Sequence, residues 1–291
     1  MDKRHEKTSL DLQRLMQAAN LKTKEDFERF ASQMVGKTIP GFDKEALGTE
    51  EQAQDLVYQA LEEENLIAAE RLIFNALALD ADCVEAFEYL GDMCEGPLQS
   101  LMFYRQGCEA ARKKLGVDFF KKNKGFFWGL HETRPYMRCL KNCAECLYLL
   151  EEKEASLDIY LELLQLNPND NQGNRDHAGL CCLELGKLHQ FEALNQQFDE
   201  DATAFHYFNY ALYQFIKTGD SLESRNALAE ARDHNKHVLQ LMLSKKDLPE
   251  LPDHYGFGDK NEAVFYCIFA KIIWHNTQGA MVWLDKVYNK R

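Results

Sequence analysis

Proline and glycine are scarce in this chain of 291 residues, at six and sixteen. A sheet with many turns needs more of both, so the sequence favours long helices. Nowhere do about 18 apolar residues run together, which leaves no stretch able to cross a membrane as a helix. The opening residues MDKRHEKTSLDLQRL are charged throughout and lack the apolar centre of a secretory signal. Basic charge is in deficit: the formal net charge is −13. A protein that tracks a phosphate backbone carries a basic footprint, so no nucleic-acid partner is expected. Lys121, Lys122 and Lys124 form a local exception beside aromatic residues. Phosphate-cradling loops of the form GxxxxGK[ST] or GxGxxG are missing, and so is a GxSxG nucleophile elbow.

What is present is an apolar content of 45%, enough for a real core, and nine cysteines. The odd count, with most cysteines inside apolar helical patterns, points to reduced thiols in the cytoplasm. The apolar period is helical almost everywhere. Residues 9–20 and 23–35 read as amphipathic helices, with Thr23 and Asp26 as a capping pair for the second. A turn-rich link over 36–48 follows. Thr49 and Gln52 then supply a capping box for a helix over 50–62, and another helix runs over about 66–79.

The pattern repeats. Ala69, Ile73, Ala76 and Ala81 fill the second-helix slots and exit turn of a 34-residue helix–turn–helix unit, and Ser156, Tyr160, Leu163 and Pro168 fill them again. Phe87, Leu90 and Gly91 take the bulky, bulky and small first-helix places; Leu140, Cys143 and Ala144 take the same three. A shortened copy places Ser100, Tyr104 and Gly107 in second-helix slots. Further copies cover 171–198 and about 203–236. Small residues recur where two helices cross closely. One unit cannot bury its apolar side alone, so stacking makes the core. The expected fold is all-α: a right-handed tetratricopeptide-like α-solenoid. Residues 1–48 form an N-terminal helical segment and 49–238 the repeats. Residues 239–291 form a Pro/Gly-rich connector and a capping helix pair, with Asp259 capping a helix over 262–275 and a last helix over 280–288. Residues 115–136, with four phenylalanines and a tryptophan, interrupt the repeats as an aromatic loop that packs on the solenoid or meets a ligand.

Four stretches, SLMFYRQGCEAARKKLG (100–116), FFWGLHETRPYMRCL (126–140), LNPNDNQGNRD (166–176) and ALAEARDHNKHVLQLMLSKKDLPELPDHYGFGDKNEAVFYC (227–267), resemble a family of mainly bacterial tetratricopeptide-repeat proteins. The resemblance runs over about residues 8–288 and is less sharp in the first 50. The eukaryotic suppressor-of-tumorigenicity seven proteins are similar over the NPNDNQG-type and HV-type blocks. The resemblance implies an all-α repeat scaffold that binds other proteins, and no particular chemistry. One departure is Asn235-Lys236-His237, where the family reads NPH.

Catalytic and metal-binding patterns fail on inspection. His131-Glu132 begins like a zinc-protease HExxH helix, but the second ligand place is Pro135. Cys139, Cys143 and Cys146 share a helical face, as core cysteines in a repeat do. His234 and His237 sit three apart at a helix end, where a cationic ring suits the helix dipole. The Glu62–Glu64 and Glu151–Glu152 runs read as solvated turns. No catalytic residue, metal ligand or cofactor is nominated.

Binding is expected on the inner wall, where positions 2, 5, 9 and 12 of each first helix point. These are Glu85, Glu88, Asp92 and Glu95 in one unit, all acidic. In a later unit they are Arg138, Lys141, Glu145 and Tyr148, of mixed sign; Gln172 and Arg175 follow in the next. A clamp for acidic peptide tails pairs Lys with Asn, and Glu145 stands where Asn is needed. The expected partner is therefore a protein or peptide of mixed or basic charge, with the oligomeric state open. Trp128, Glu132, Arg134, Tyr136 and Arg138, together with Asn167, Asp170, Asn171 and Arg175, form a second candidate surface. An alternative function follows from it: a small-ligand or enzymatic site between residues 126–138 and the 167–175 turn. The competing structural roles are Asn171 as a helix cap and Glu132–Arg134 as a pin for the aromatic loop.

Overall fold

The computed structural model describes residues 3–36 and 47–289. Most of the link expected over 36–48 lies outside them. Among the described residues the fold is all-helical, without strands, and its helices pack largely as neighbouring pairs. The chain divides into two compact units, residues 1–150 with 165–168, and residues 151–164 with 169–291. No helix among the described residues is long and apolar enough to cross a membrane.

In the first unit, α1 (Lys3–Ala18) starts six residues before the periodic stretch that betrays it. Helix α2 (Lys24–Met34) opens as expected: the Asp26 amide donates to Thr23 Oγ1 at 3.2 Å and the Thr23 amide donates to Asp26 Oδ2 at 3.1 Å. Helix α3 (Thr49–Glu62) is capped differently from the expected box. Thr49 is already helical, and the Glu51 carboxylate accepts from the Gly48 amide at 3.1 Å. Asn65 caps α4 (Leu66–Leu79) through the Ala68 amide at 3.1 Å. The α3–α4 hairpin buries Ala53, Val57, Ala60, Ala69, Ile73 and Ala76. Four of these six are alanines, so the backbones come close, while each large apolar side chain in the seam contributes about 1.5–3 kcal/mol.

Helices α5 (Val84–Asp92), α6 (Pro97–Leu115) and α8 (Arg134–Leu149) meet at small residues, Gly91 and Gly107 among them. A Cβ on Gly91 would fall 2.6 Å from Cδ1 of Tyr104, and one on Gly107 would fall 2.8 Å from the Cys139 sulfur. Glycine at both places is thus a packing requirement.

The aromatic segment is not a loop throughout. A short helix, α7 (Val117–Asn123), stands between Gly116 at φ 77° and Gly125 at φ 92°, backbone angles that side-chain-bearing residues rarely adopt. Two 3-10 turns, Phe127–Gly129 and His131–Thr133, lead into α8. Phe127 and Tyr136 are fully buried, with the Phe120 ring 4.9 Å from one and 5.2 Å from the other. The segment packs, while Phe126 remains 75% exposed.

The second unit holds α9 (Lys153–Leu166, whose last two residues belong to the first unit), α10 (Asn174–Glu184), α11 (Leu188–Gln197), α12 (Ala204–Thr218), α13 (Leu222–His234), α14 (Val238–Leu243), α15 (Lys260–Asn276) and α16 (Ala280–Asn289). The sequence reading did not single out α14, whose Val238, Leu239 and Met242 are buried. Asp259 caps α15 as expected, accepting from the Glu262 amide at 2.8 Å. The last two helices join the core through aromatic rings. Trp283 stacks on Phe215 at 4.5 Å, and Trp274 donates its indole N–H to Tyr266 Oη at 2.8 Å.

Candidate functional site

Three of the residues expected to face a partner, Glu85, Glu88 and Arg138, lie together in the first unit, and a helix lies against them. Arg138 Nε donates to both carboxylate oxygens of Glu88, at 2.8 and 3.0 Å. Its Nη1 donates to Glu6 of α1. Gln54 of α3 donates its amide to Glu85 of α5. Arg14, two turns beyond Glu6 on α1, pairs with Glu51 of α3 at 3.1 Å. Lys7 stands 3.9 Å from Glu62. Glu85 and Glu88 of α5 and Arg138 of α8 therefore face one side, and α1 lies against it. Periodicity cannot show this, because α1 is distant in sequence from the wall it meets.

Beside α1 lies a cavity of about 400 Å³. Its walls come from α1 (Leu10, Arg14), α3 (Glu50, Glu51, Gln54), the α4–α5 turn (Asp80, Cys83), α5 (Val84, Glu85), α6 (Lys114, Leu115), the 3-10 turn before α8 (His131, Glu132) and α8 itself (Pro135). Two cations in the wall are taken. Lys114 pairs with Asp80 and stands 3.6 Å from Glu50; Arg14 pairs with Glu51 and with Asp11 at 3.3 Å. Burial raises the Glu85 carboxyl above the usual glutamate range, against the pull of the Arg138 charge and the Gln54 hydrogen bond. Burial lowers the His131 imidazole, helped by the Arg134 charge and opposed by Glu6 and Glu132. The Cys83 thiol is pushed up to about 12 by burial and then by Glu85, which favours its protonated form.

The other expected site residues lie as follows. Asp92 is exposed at the end of α5 and accepts from the Tyr104 hydroxyl at 2.8 Å. Lys141 and Glu145 are half-buried and stand 3.5 Å apart on α8, with Tyr148 half-buried a turn on. Arg134 Nε donates to the Trp128 carbonyl at 3.0 Å, and its guanidinium lies 5.5 Å from the Trp128 ring centre. That pin joins Arg134 to Trp128, while Glu132 is exposed in the cavity wall. Tyr136 belongs to the buried aromatic cluster.

Asn171 and Arg175 fall in the second unit, whereas residues 126–138 fall in the first. Asn171 is exposed, and the cap of α10 is Asp170: its carboxylate accepts from the Asn174 amide at 2.7 Å and the Arg175 amide at 3.0 Å. The Arg175 guanidinium is held by Asp201 at 2.7 Å and Asp170 at 3.0 Å, and lies 5.5 Å from the Phe198 ring centre. The space beside it is about 30 Å³, room for a single water. The cysteines of α8 are buried; burial raises the Cys139 thiol and brings that of Cys146 up to about 11. Among the described residues no three His, Cys, Asp or Glu side chains come together as metal ligands.

Compared with protein-family models, curated proteins and solved structures, the chain matches none.

Proposed function

We propose that the chain is a non-catalytic interaction scaffold of tetratricopeptide-like helical hairpins, stacked as a right-handed solenoid. It holds a helix or peptide of mixed or basic charge against the wall formed by α3, α5 and α8. The observation that carries this reading is α1. Its sequence KRHEKTSLDLQRLMQA is a mixed, mainly basic amphipathic helix, and it meets Arg138, which the repeat register assigns to the inner wall, and Glu51 of α3. A wall that accepts one such helix has the chemistry to accept another. The resemblance to bacterial tetratricopeptide proteins agrees with this reading. Nine free thiols suit a reducing cytoplasm.

Affinity purification with the wild-type chain and with Glu145→Lys tests the scaffold. Glu145 is half-buried on α8, so its reversal repels a basic partner and spares the buried ion pairs. A protein partner recovered by the wild type and lost by the variant supports the reading. A small molecule that co-purifies in equal amount, with no protein partner, overturns it.

A second reading, a small-ligand module, gains from the cavity. The lining is drawn wholly from residues 10–135, not from the 167–175 turn.

A further inference from the structure

We propose that the face of α3, α5 and α8 that α1 covers is a docking surface for a partner helix of α1's own charge pattern, and that α1 is a built-in competitor that leaves when the partner arrives. The inference deepens the scaffold reading and rests on it.

The first ground is how little α1 buries. Leu10, Leu12, Leu15 and Met16 are all half-buried, and of the side chains from Glu6 to Met16 only that of Glu6 is buried. The neighbouring α3 buries Ala53, Val57 and Ala60. Apolar burial is what makes a helix a permanent part of a core. The ties of Arg14 to Glu51 and of Lys7 to Glu62 each end on a half-exposed carboxylate. Such pairs contribute little and weaken with salt.

The second ground is fit. Along its Leu10, Gln13 and Arg14 side, α1 leaves the cavity of about 400 Å³ unfilled, whereas packed interiors hold few voids larger than a water molecule. The third ground is Glu6. Its Oε2 accepts from Arg138, but its Oε1 is buried without a hydrogen bond among the described residues. A carboxylate oxygen kept from water without a donor costs free energy that release to solvent returns. Helix α2, next in the chain, has no buried residue and does not anchor α1.

The seated helix also specifies its replacement. Arg138 takes a carboxylate at the place of Glu6, and Glu51 takes a cation two turns on, at the place of Arg14. Leu10, midway between them, lines the cavity. An all-basic helix sets a cation against Arg138, and an all-acidic one sets a carboxylate against Glu51. A helix of mixed sign in that order satisfies both. While α1 is seated, the apparent affinity for such a partner is lowered by the fraction of chains whose face is open.

A fluorescein-labelled peptide of residues 3–18, titrated by anisotropy into the full chain and into its Lys7→Glu/Arg14→Glu variant, tests this. The variant reverses two half-buried charges on α1 and leaves the face itself unchanged. It is expected to bind the peptide about fivefold more tightly than the wild type does. A scrambled peptide of the same composition, with the same net charge, should bind both chains about fivefold more weakly or worse. Hydrogen exchange needs no variant: saturating peptide should strip protection from the α1 amides of the isotope-labelled wild-type chain while α3 and α5 keep theirs. The proposal is overturned if the variant gains nothing, if the scrambled peptide binds as tightly, or if bound peptide leaves α1 protected. It is equally overturned if the wild type is a dimer that Lys7→Glu/Arg14→Glu dissociates, since the face then belongs to α1 of a second copy. The scaffold reading fails separately. A partner captured by the wild type and lost by Glu145→Lys, with no peptide binding, leaves the scaffold and removes the displacement. Peptide binding with release of α1, and a co-purifying small molecule in place of any protein partner, overturns the scaffold and keeps the displacement.

Discussion

Arg138 and Glu88, fifty residues apart, form a two-bonded ion pair in which the arginine Nε meets both carboxylate oxygens, and the same guanidinium reaches Glu6 on α1. Three helices distant in sequence are thereby tied at one point. Charge removal on the cationic side is the harsher change, because it takes one shared guanidinium from two buried carboxylates. Arg138→Met is expected to cost about 3–5 kcal/mol in urea denaturation at neutral pH. Glu88→Gln keeps an acceptor and leaves the guanidinium its bond to Glu6, so its loss is smaller. Equal losses for the two variants would show that the bond to Glu6 carries no weight.

Glu85 gives a pH-dependent prediction whose sign is fixed by its raised carboxyl. A carboxyl raised in the folded state binds its proton more firmly there than in the unfolded chain. Stability therefore falls as pH rises from the ordinary glutamate value, about 4.3, through the folded value. Above that window ionised Glu85 is a burden. Glu85→Gln should melt higher than the wild type at pH 7, and the gain should vanish below pH ~4. Thermal melts across this range check it. A variant that melts lower at pH 7 would show that the Gln54 hydrogen bond outweighs desolvation.

Some of this architecture is legible in the sequence and some is not, and residue type explains the difference. Gly91, Gly107 and Ala144 sit at repeat slots because neighbouring side chains leave no room, so spacing alone reveals them. Thr23 and Asp259 bond within three residues of themselves and are equally readable. Helix α7 hides because its seven residues lie between two glycines, and composition there looks like a loop. The cap of α10 misleads because two acceptors are adjacent: Asp170 takes the amides and Asn171 faces solvent. At the candidate site, the spacing of Glu85, Glu88 and Arg138 already suggests a shared side. Glu6, His131 and the cavity are not legible in this way, because what brings them there is the docking of α1.

Gly91 offers a test of the repeat register. In an exposed helix interior, Gly→Ala stabilises by about 1 kcal/mol. Here the new methyl group would press into the Tyr104 ring, which is also tethered through its hydroxyl to Asp92. Overpacking of that kind costs about 1–3 kcal/mol, so Gly91→Ala should lower stability on balance. Tyr104→Leu in the same chain should return part of the loss. A double-mutant cycle reads the coupling. Additive effects would mean that the two helices do not cross as closely as the repeat requires.

Glu262 was read from sequence only as part of a helix start, yet in the second unit it is a buried clasp, 1% exposed. Its Oε1 accepts from the Ala204 amide at 2.9 Å; its Oε2 accepts from Asn235 Nδ2 at 2.8 Å and from the Gly258 amide at 2.7 Å. The start of α12, the end of α13 and the connector before α15 are thus fastened to one carboxylate. No Lys or Arg among the described residues pairs with it, and His234 Nε2, 3.8 Å away, is too distant for a hydrogen bond. Three donors suit a group with two accepting oxygens and do not suit an amide. In Glu262→Gln the side-chain nitrogen would turn a donor toward a donor. The expected loss is about 1.5–3 kcal/mol, the worth of hydrogen bonds to a charged acceptor. Hydrogen exchange gives the sharper readout: the Ala204 and Gly258 amides should lose protection together, ahead of the α12 interior. If those amides keep wild-type protection in Glu262→Gln, the carboxylate is not what closes this part of the fold.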